Sequence, residues 1–190
     1  MGHVPRGAHS AVERGRESDA DEEGNPSMTR DELLHWLLET RAEFDQLAAS
    51  IPKDELDKPI PGKKHSARDV IYHVVAYEDL IVQRLRSAQR GETTAFDRDR
   101  EGWESFNDRV WDEAAQVDGL TVLARSHRIF RELIEQVRVL QDDEINGDGG
   151  IVRCIDPAWL AGRSLWEVIG IDAFEHYPMH FEDLQKARDA

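Results

Sequence analysis

Three hydroxyl side chains, Thr29, Ser66 and Ser164, each stand three positions ahead of an acid (Glu32, Asp69 and Glu167) and just before an apolar run. In that pattern the hydroxyl accepts a backbone N–H from the first helical turn and the acid returns the bond, so each pair marks a helix start. Beyond each cap the apolar residues recur every three to four positions, the period of a helix rather than a strand. The first helix is expected over 29–50, with Leu33, Trp36, Leu37, Phe44 and Leu47 inward and Ile51-Pro52 ending it. The second spans 67–90, with Val70, Val74, Tyr77, Ile81 and Leu85 inward and Gly91 closing it. A third covers 120–141 on Leu123, His127, Phe130, Ile134 and Val137. A fourth covers 165–187 on Ile169, Ala173, His176, Phe181 and Leu184.

At ~1.5 Å per residue these helices are each about 30 Å long, which predicts an all-α four-helix bundle. No paired alternating strands and no internal repeat interrupt that reading. The connection from Gly91 to Asp118 is too long for a tight turn and carries a short helix over 102–116. It reads as a crossover, which frees the second and third helices from being antiparallel neighbours. Residues 142–163 carry Gly147, Gly149 and Gly150 and then Ile151, Val152, Ile155 and Trp159, a lid-like segment expected to pack over one end of the bundle. Residues 1–27 contain no Leu, Ile, Phe, Trp or Tyr and cannot bury enough apolar area to order themselves. They are expected to be a disordered acidic tail, or upstream sequence ahead of a start at Met28, before a domain over 28–190.

Lys and Arg number 24 against 39 Asp and Glu, a net charge of −15. So acidic a chain repels phosphate backbones and anionic lipid, which argues against nucleic acid and membrane as partners and leaves a small molecule. The longest run free of charged residues is Val70 to Tyr77, far short of the ~20 residues of a spanning helix. One cysteine, Cys154, excludes an internal disulfide or a cysteine-rich metal cluster, and a cytoplasmic location is expected. A homodimer stays open, since no stripe stands out as an interface.

His176 and His180 are four apart, the spacing that lets two imidazoles on one helix share a metal. His73 falls on the inward face of the second helix, where a neutral imidazole needs a hydrogen-bond partner or a metal. The plain alternatives are a satisfied core histidine for His73 and a polar helix flank for His176 and His180. Three imidazoles with an open position make a metal site for Zn, Ni, Fe or Mn that can activate a substrate. Pro178, between the two histidines, strains the carbonyl of Phe174, and a kink there would aim both rings at one point. Asp172, one turn before His176, is the candidate to orient its imidazole in catalysis; apart from it, Glu78 is the only convenient acid. Tyr77, Trp103, Asn107 and Trp159 are expected to line a substrate pocket. His127 is either a fourth ligand or a core histidine, Trp166 a core residue and Cys154 a buried thiol. No phosphate-cradling loop, nucleophile elbow or basic patch is present.

The stretch Ser66-Ala67-Arg68-Asp69-Val70-Ile71-Tyr72-His73-Val74, followed by a last helix with two histidines four apart, resembles the DinB-like (YfiT-like) superfamily. The resemblance implies an up-down-down-up bundle with a long crossover between helices 2 and 3. It also implies a divalent metal held by one histidine of helix 2 and two of helix 4, here His73, His176 and His180. The chain departs from the family at His65, where many members carry tryptophan, and at Pro178. The segment from Trp103 to Trp111, with Phe106 and Asn107, and the His176-Tyr177 pair resemble the ClbS/DfsB branch. That branch is linked to protection against a reactive cyclopropane-bearing toxin and does not imply a metal. Two functions follow as expectations: a metal-dependent small-molecule hydrolase or thiol transferase, and a metal-free binding or protective protein of the ClbS kind. A non-catalytic interaction bundle is the bland alternative.

Overall fold

A computed structural model of the chain describes residues 27–99, 102–147 and 149–190. The acidic tail expected over 1–27 lies, apart from Ser27, outside them. The helices are α1 (Arg30–Ser50), α2 (Ala67–Gln89), α3 (Ala95–Asp99), α4 (Trp103–Ala114), α5 (Gly119–Arg138), α6 (Asp142–Ile145), α7 (Pro157–Leu160), α8 (Leu165–Asp172) and α9 (Phe181–Arg188). Single 3₁₀ turns cover Gly150–Cys154 and Tyr177–His180, and there is no strand among the described residues.

All three expected caps form reciprocal boxes, at Thr29/Glu32, Ser66/Asp69 and Ser164/Glu167. At the end of α2 the N–H of Glu92 reaches the carbonyl of Ser87 and that of Gly91 the carbonyl of Ala88. This closure needs a left-handed residue after the helix, which Gly91 supplies at φ 72°.

The directions of the long helices follow from their contacts. Tyr72 meets Arg125, and further along α2 Arg86 meets Glu132, so the two positions rise together and α2 runs parallel to α5. Arg30 bonds Asp142 while Asp45 lies beside His127, so α1 runs antiparallel to α5. Asp172 lies near Arg84, His176 and His180 near His73, and Asp183 near Lys63, so the last segment runs antiparallel to α2. The fold is an up-down-down-up bundle, and α3 and α4 form the crossover. α2 is its axis, buried on almost every side, with Ile71, Val74, Ile81, Val82 and Leu85 wholly inaccessible.

Several expectations need correction. The buried face of α5 is Val122, Ser126, Ile129, Leu133, Ile134 and Val137; Ile134 and Val137 are inward as anticipated, whereas Leu123 and Phe130 lie on the flank. His127 is turned out to solvent, where it sits 3.7 Å from Asp45, neither a core residue nor a ligand. Trp36 is 49% exposed rather than inward, since the buried stripe of α1 steps from Leu33 to Leu37, Arg41 and Phe44 and passes it by. The 142–163 segment is not a loop but α6, a 3₁₀ turn and α7 in succession. The last helix is not continuous: it breaks after Asp172 and resumes at Phe181.

Candidate metal centre and adjoining cleft

The break sets the site. Ala173 leaves the helical region (φ −129°, ψ −95°), and the next residues turn rather than continue a ladder. In a continuous helix Pro178 would lack the bond to the Phe174 carbonyl and crowd it; the helix is instead broken one turn upstream, at Ala173. Gly170 makes room for the break: the Phe174 ring folds back over it, and a Cβ there would stand 2.5 Å from that ring.

His176 and His180 leave this turn on one side, facing His73 on α2. One ring nitrogen from each of the three lies within 4.8 Å of the other two. Nε2 of His176 stands 3.0 Å from Nε2 of His180. The His73 ring meets both edge-on, at centroid distances of 5.1 and 5.2 Å. His73 and His176 are buried, and Nδ1 of each has no partner in hydrogen-bond geometry. Burial, then the neighbouring His176, His180 and His65, push the His73 pKa down to about 3. Burial and then His180 push that of His176 down to about 4, against a small opposing pull from the Asp172 carbonyl. Burial also lowers His180. All three rings are neutral near pH 7, the state in which imidazole ligates a metal.

Aromatic rings wall the cluster. Trp111 lies parallel to His73 at 4.6 Å, with the His65 ring stacked on the indole at 4.2 Å. His65, the departure from the family's tryptophan, thus still contributes a ring. On the other side Tyr77 touches His73 and His176 edge-on, donates its hydroxyl to Asn107 at 3.0 Å and stacks on Trp103. Trp103, 43% exposed, leads outward into two adjoining cavities of about 240 and 250 Å³. Both are lined by Trp103, Ala158 and Trp159; Arg84, Phe96 and Asp97 complete one, Val168 and Asp172 the other.

Asp172 does not turn its carboxylate to His176. It accepts the Trp159 indole N–H at 2.9 Å and lies 3.8 Å from Arg84 Nη1. Burial raises its pKa, against the pull of Trp159 and Arg84. Glu78 is wholly buried, ion-paired to Arg41 and hydrogen-bonded by Tyr177, and does not face the cluster. Trp166 is half-buried with its indole N–H unpartnered, and Cys154 is half-buried. A larger cavity of 360 Å³ lies beside α4, and its rim carries the ion pairs Arg125–Asp79 and Arg109–Glu113.

Two residues at the cleft escaped the sequence reading. Arg84 lies beneath Trp159, 4.2 Å from the ring centre, and is clamped by both oxygens of Asp97. The signal was there: Arg84 stands three positions after Ile81, on the apolar face of α2. Asp97 is fixed in turn by the Thr94 hydroxyl, within a crossover that has no long apolar period to read.

Comparison with known proteins agrees with this architecture. The structure is similar to that of the colibactin self-resistance protein ClbS, solved in complex with a double-stranded DNA, at TM-score 0.71 and 15% identity over 88% of this chain and 99% of that one. It is similar to an uncharacterised protein from Escherichia coli UTI89, at TM-score 0.68 and 16% identity over 86% and 94% of the two chains. A Streptococcus pneumoniae protein matches at TM-score 0.71 and 12% identity over 87% and 93%. At such identities the likeness is one of fold. No curated protein matches by sequence. The sequence pattern of the DinB superfamily matches residues 36–149, more than half of the chain, and the chain belongs to that superfamily.

Proposed function

We propose that the protein is a metal-dependent enzyme acting on a small molecule, with His73, His176 and His180 as the ligands of a divalent ion. The observation that carries this reading is the convergence of three neutral imidazoles, two of them buried and the third half-buried, on one point. Ligands about 2.1 Å from a common ion stand about 3.0–3.4 Å apart, close to the 3.0 Å between His176 and His180. Small ring rotations bring the third nitrogen into the set. A divalent ion there would supply Lewis acidity toward a carbonyl, epoxide or thiol of the substrate. Zn, Ni, Fe and Mn all suit imidazole donors.

The chain's own residues supply binding and orientation. Trp103 and Trp159 offer apolar faces for a substrate; Tyr77, held by Asn107, lines neither cavity but lies between Trp103 and His176. Asp172, buried in the lining of the cleft and raised by that burial, is the candidate to move a proton there. Both hydrolysis and thiol transfer suit this layout. With a net charge of −15 we infer a small-molecule partner rather than nucleic acid, although the ClbS structure contains a duplex.

The test is elemental analysis of protein purified without chelator. One divalent ion per chain, removed by a chelator and absent from His73→Ala, is expected; the same metal content in His73→Ala would overturn the ligand assignment. A second reading, metal-free capture of a reactive small molecule, is favoured by the likeness to ClbS and by the aromatic cleft. It predicts binding that survives chelation and is lost in Trp103→Ala or Trp159→Ala.

A further inference from the structure

Residues 173–180 carry two of the three imidazoles, yet their backbone bonds only in short turns, Met179 to the His176 carbonyl among them, and forms no continuous α-helical ladder. The N–H groups of Ala173 and Glu175 share the Gly170 carbonyl, those of His176 and Tyr177 share the Ala173 carbonyl, and Pro178 has none. Without a regular ladder, the place of this turn depends on tertiary anchors. The deepest anchor is Tyr177, wholly buried, whose hydroxyl donates to Glu78 Oε1 at 2.6 Å. Glu78 is itself wholly buried and paired with Arg41. Arg41 also donates to Asp45 at 2.9 Å and to Ser126, with its guanidinium beside the rings of Phe44, Phe130 and Tyr177.

The network therefore joins α1, α2, α5 and the histidine-bearing turn at one point in the core. A buried ion pair is weak as a source of stability, since apolar replacements of similar volume are often as stable or more so. Its geometry suits another purpose. Glu78 lies on α2 just over one turn beyond His73, and Tyr177 directly follows His176. The Glu78–Tyr177 bond thus spans the same two segments that the three imidazoles span. It uses none of the ring nitrogens, so it can fix their spacing without competing for them.

We propose that Arg41, Glu78 and Tyr177 are positioning residues for the imidazole cluster. Arg41 holds Glu78 in place, Glu78 accepts the Tyr177 hydroxyl, and that bond sets the turn against α2 so that His176 and His180 face His73. The inference rests on reading the cluster as a metal site. It adds that the site's affinity is set by a buried contact that touches none of the ligand nitrogens.

Cobalt(II) titration of the full chain, followed by its visible absorption, tests this. Tyr177→Phe keeps the ring and removes only the hydroxyl. The double variant Arg41→Leu/Glu78→Leu removes the acceptor and replaces the ion pair with apolar groups, so an unstable single variant does not decide the matter. Both are expected to bind cobalt 10–100-fold more weakly than wild type and with an altered ligand-field band, as loss of a supporting contact does elsewhere. In the double Arg41→Gln/Glu78→Gln, an amide oxygen remains to accept the hydroxyl, and affinity is expected to return toward wild type. Wild-type affinity and spectrum in both Tyr177→Phe and the leucine double would overturn the positioning role while leaving the cluster assignment intact. Failure of wild type to bind cobalt, or undiminished binding by His73→Ala, would overturn the cluster assignment itself.

Discussion

His73 shows how much a single side chain is asked to do. A buried imidazole with an unpartnered Nδ1 costs stability unless something completes it. It also ties stability to pH. Its folded pKa of about 3, and that of about 4 for His176, lie below the ordinary 6.5, so between these values the unfolded chain binds protons that the folded chain refuses. The stability these rings contribute is complete above about pH 6.5 and drains away as pH falls toward 4 and then 3. Thermal melts of metal-free protein should show a midpoint that declines from pH 7 to pH 4, with a shallower decline in His73→Ala. Equal slopes would mean that His73 is not held neutral. At this scale the sequence was informative where residue type and spacing coincide, as at His73, His176, His180 and Tyr77. It was silent about Arg41, Glu78 and Arg84 as partners, because a charged residue on an apolar stripe announces burial but not what it meets.

The helices were legible because their start signals are local. A cap needs only a hydroxyl and an acid three residues on, and the boxes at Thr29, Ser66 and Ser164 formed as read. The stripe of α5 was right at Ile134 and Val137 and one position late before them, because Val122, Leu123, Ile129, Phe130, Leu133 and Ile134 permit two neighbouring faces and only packing chooses between them. The break in the last helix was half legible. Pro178 signals a disruption, but its site depends on Phe174 folding over Gly170, a contact with no periodic signature. That contact yields a test. Gly170→Ala sets a methyl 2.5 Å from the Phe174 ring and should cost about 1–3 kcal/mol by overpacking. It should also weaken metal binding by shifting the turn that carries His176. Chemical denaturation and metal titration of the same variant check both; unchanged affinity would separate the break from the site.

For the whole molecule, the order up-down-down-up is what brings the histidines together. Because the α3–α4 crossover lets α2 run parallel to α5, the last segment can lie antiparallel along α2 and present its turn to His73. The sequence carried this order only through the length of the crossover and the resemblance of short motifs to a family; the cleft between α2, the crossover and α7 came from packing alone. No helix among the described residues is long and apolar enough to cross a membrane. The most direct measurement of the central claim is X-ray absorption at the edge of the bound metal, on full-length protein loaded with one equivalent of zinc. The account predicts a first shell with three imidazole nitrogens at about 2.0–2.1 Å, reduced in His180→Ala. A shell without imidazole scattering, or one identical in wild type and His180→Ala, would contradict it.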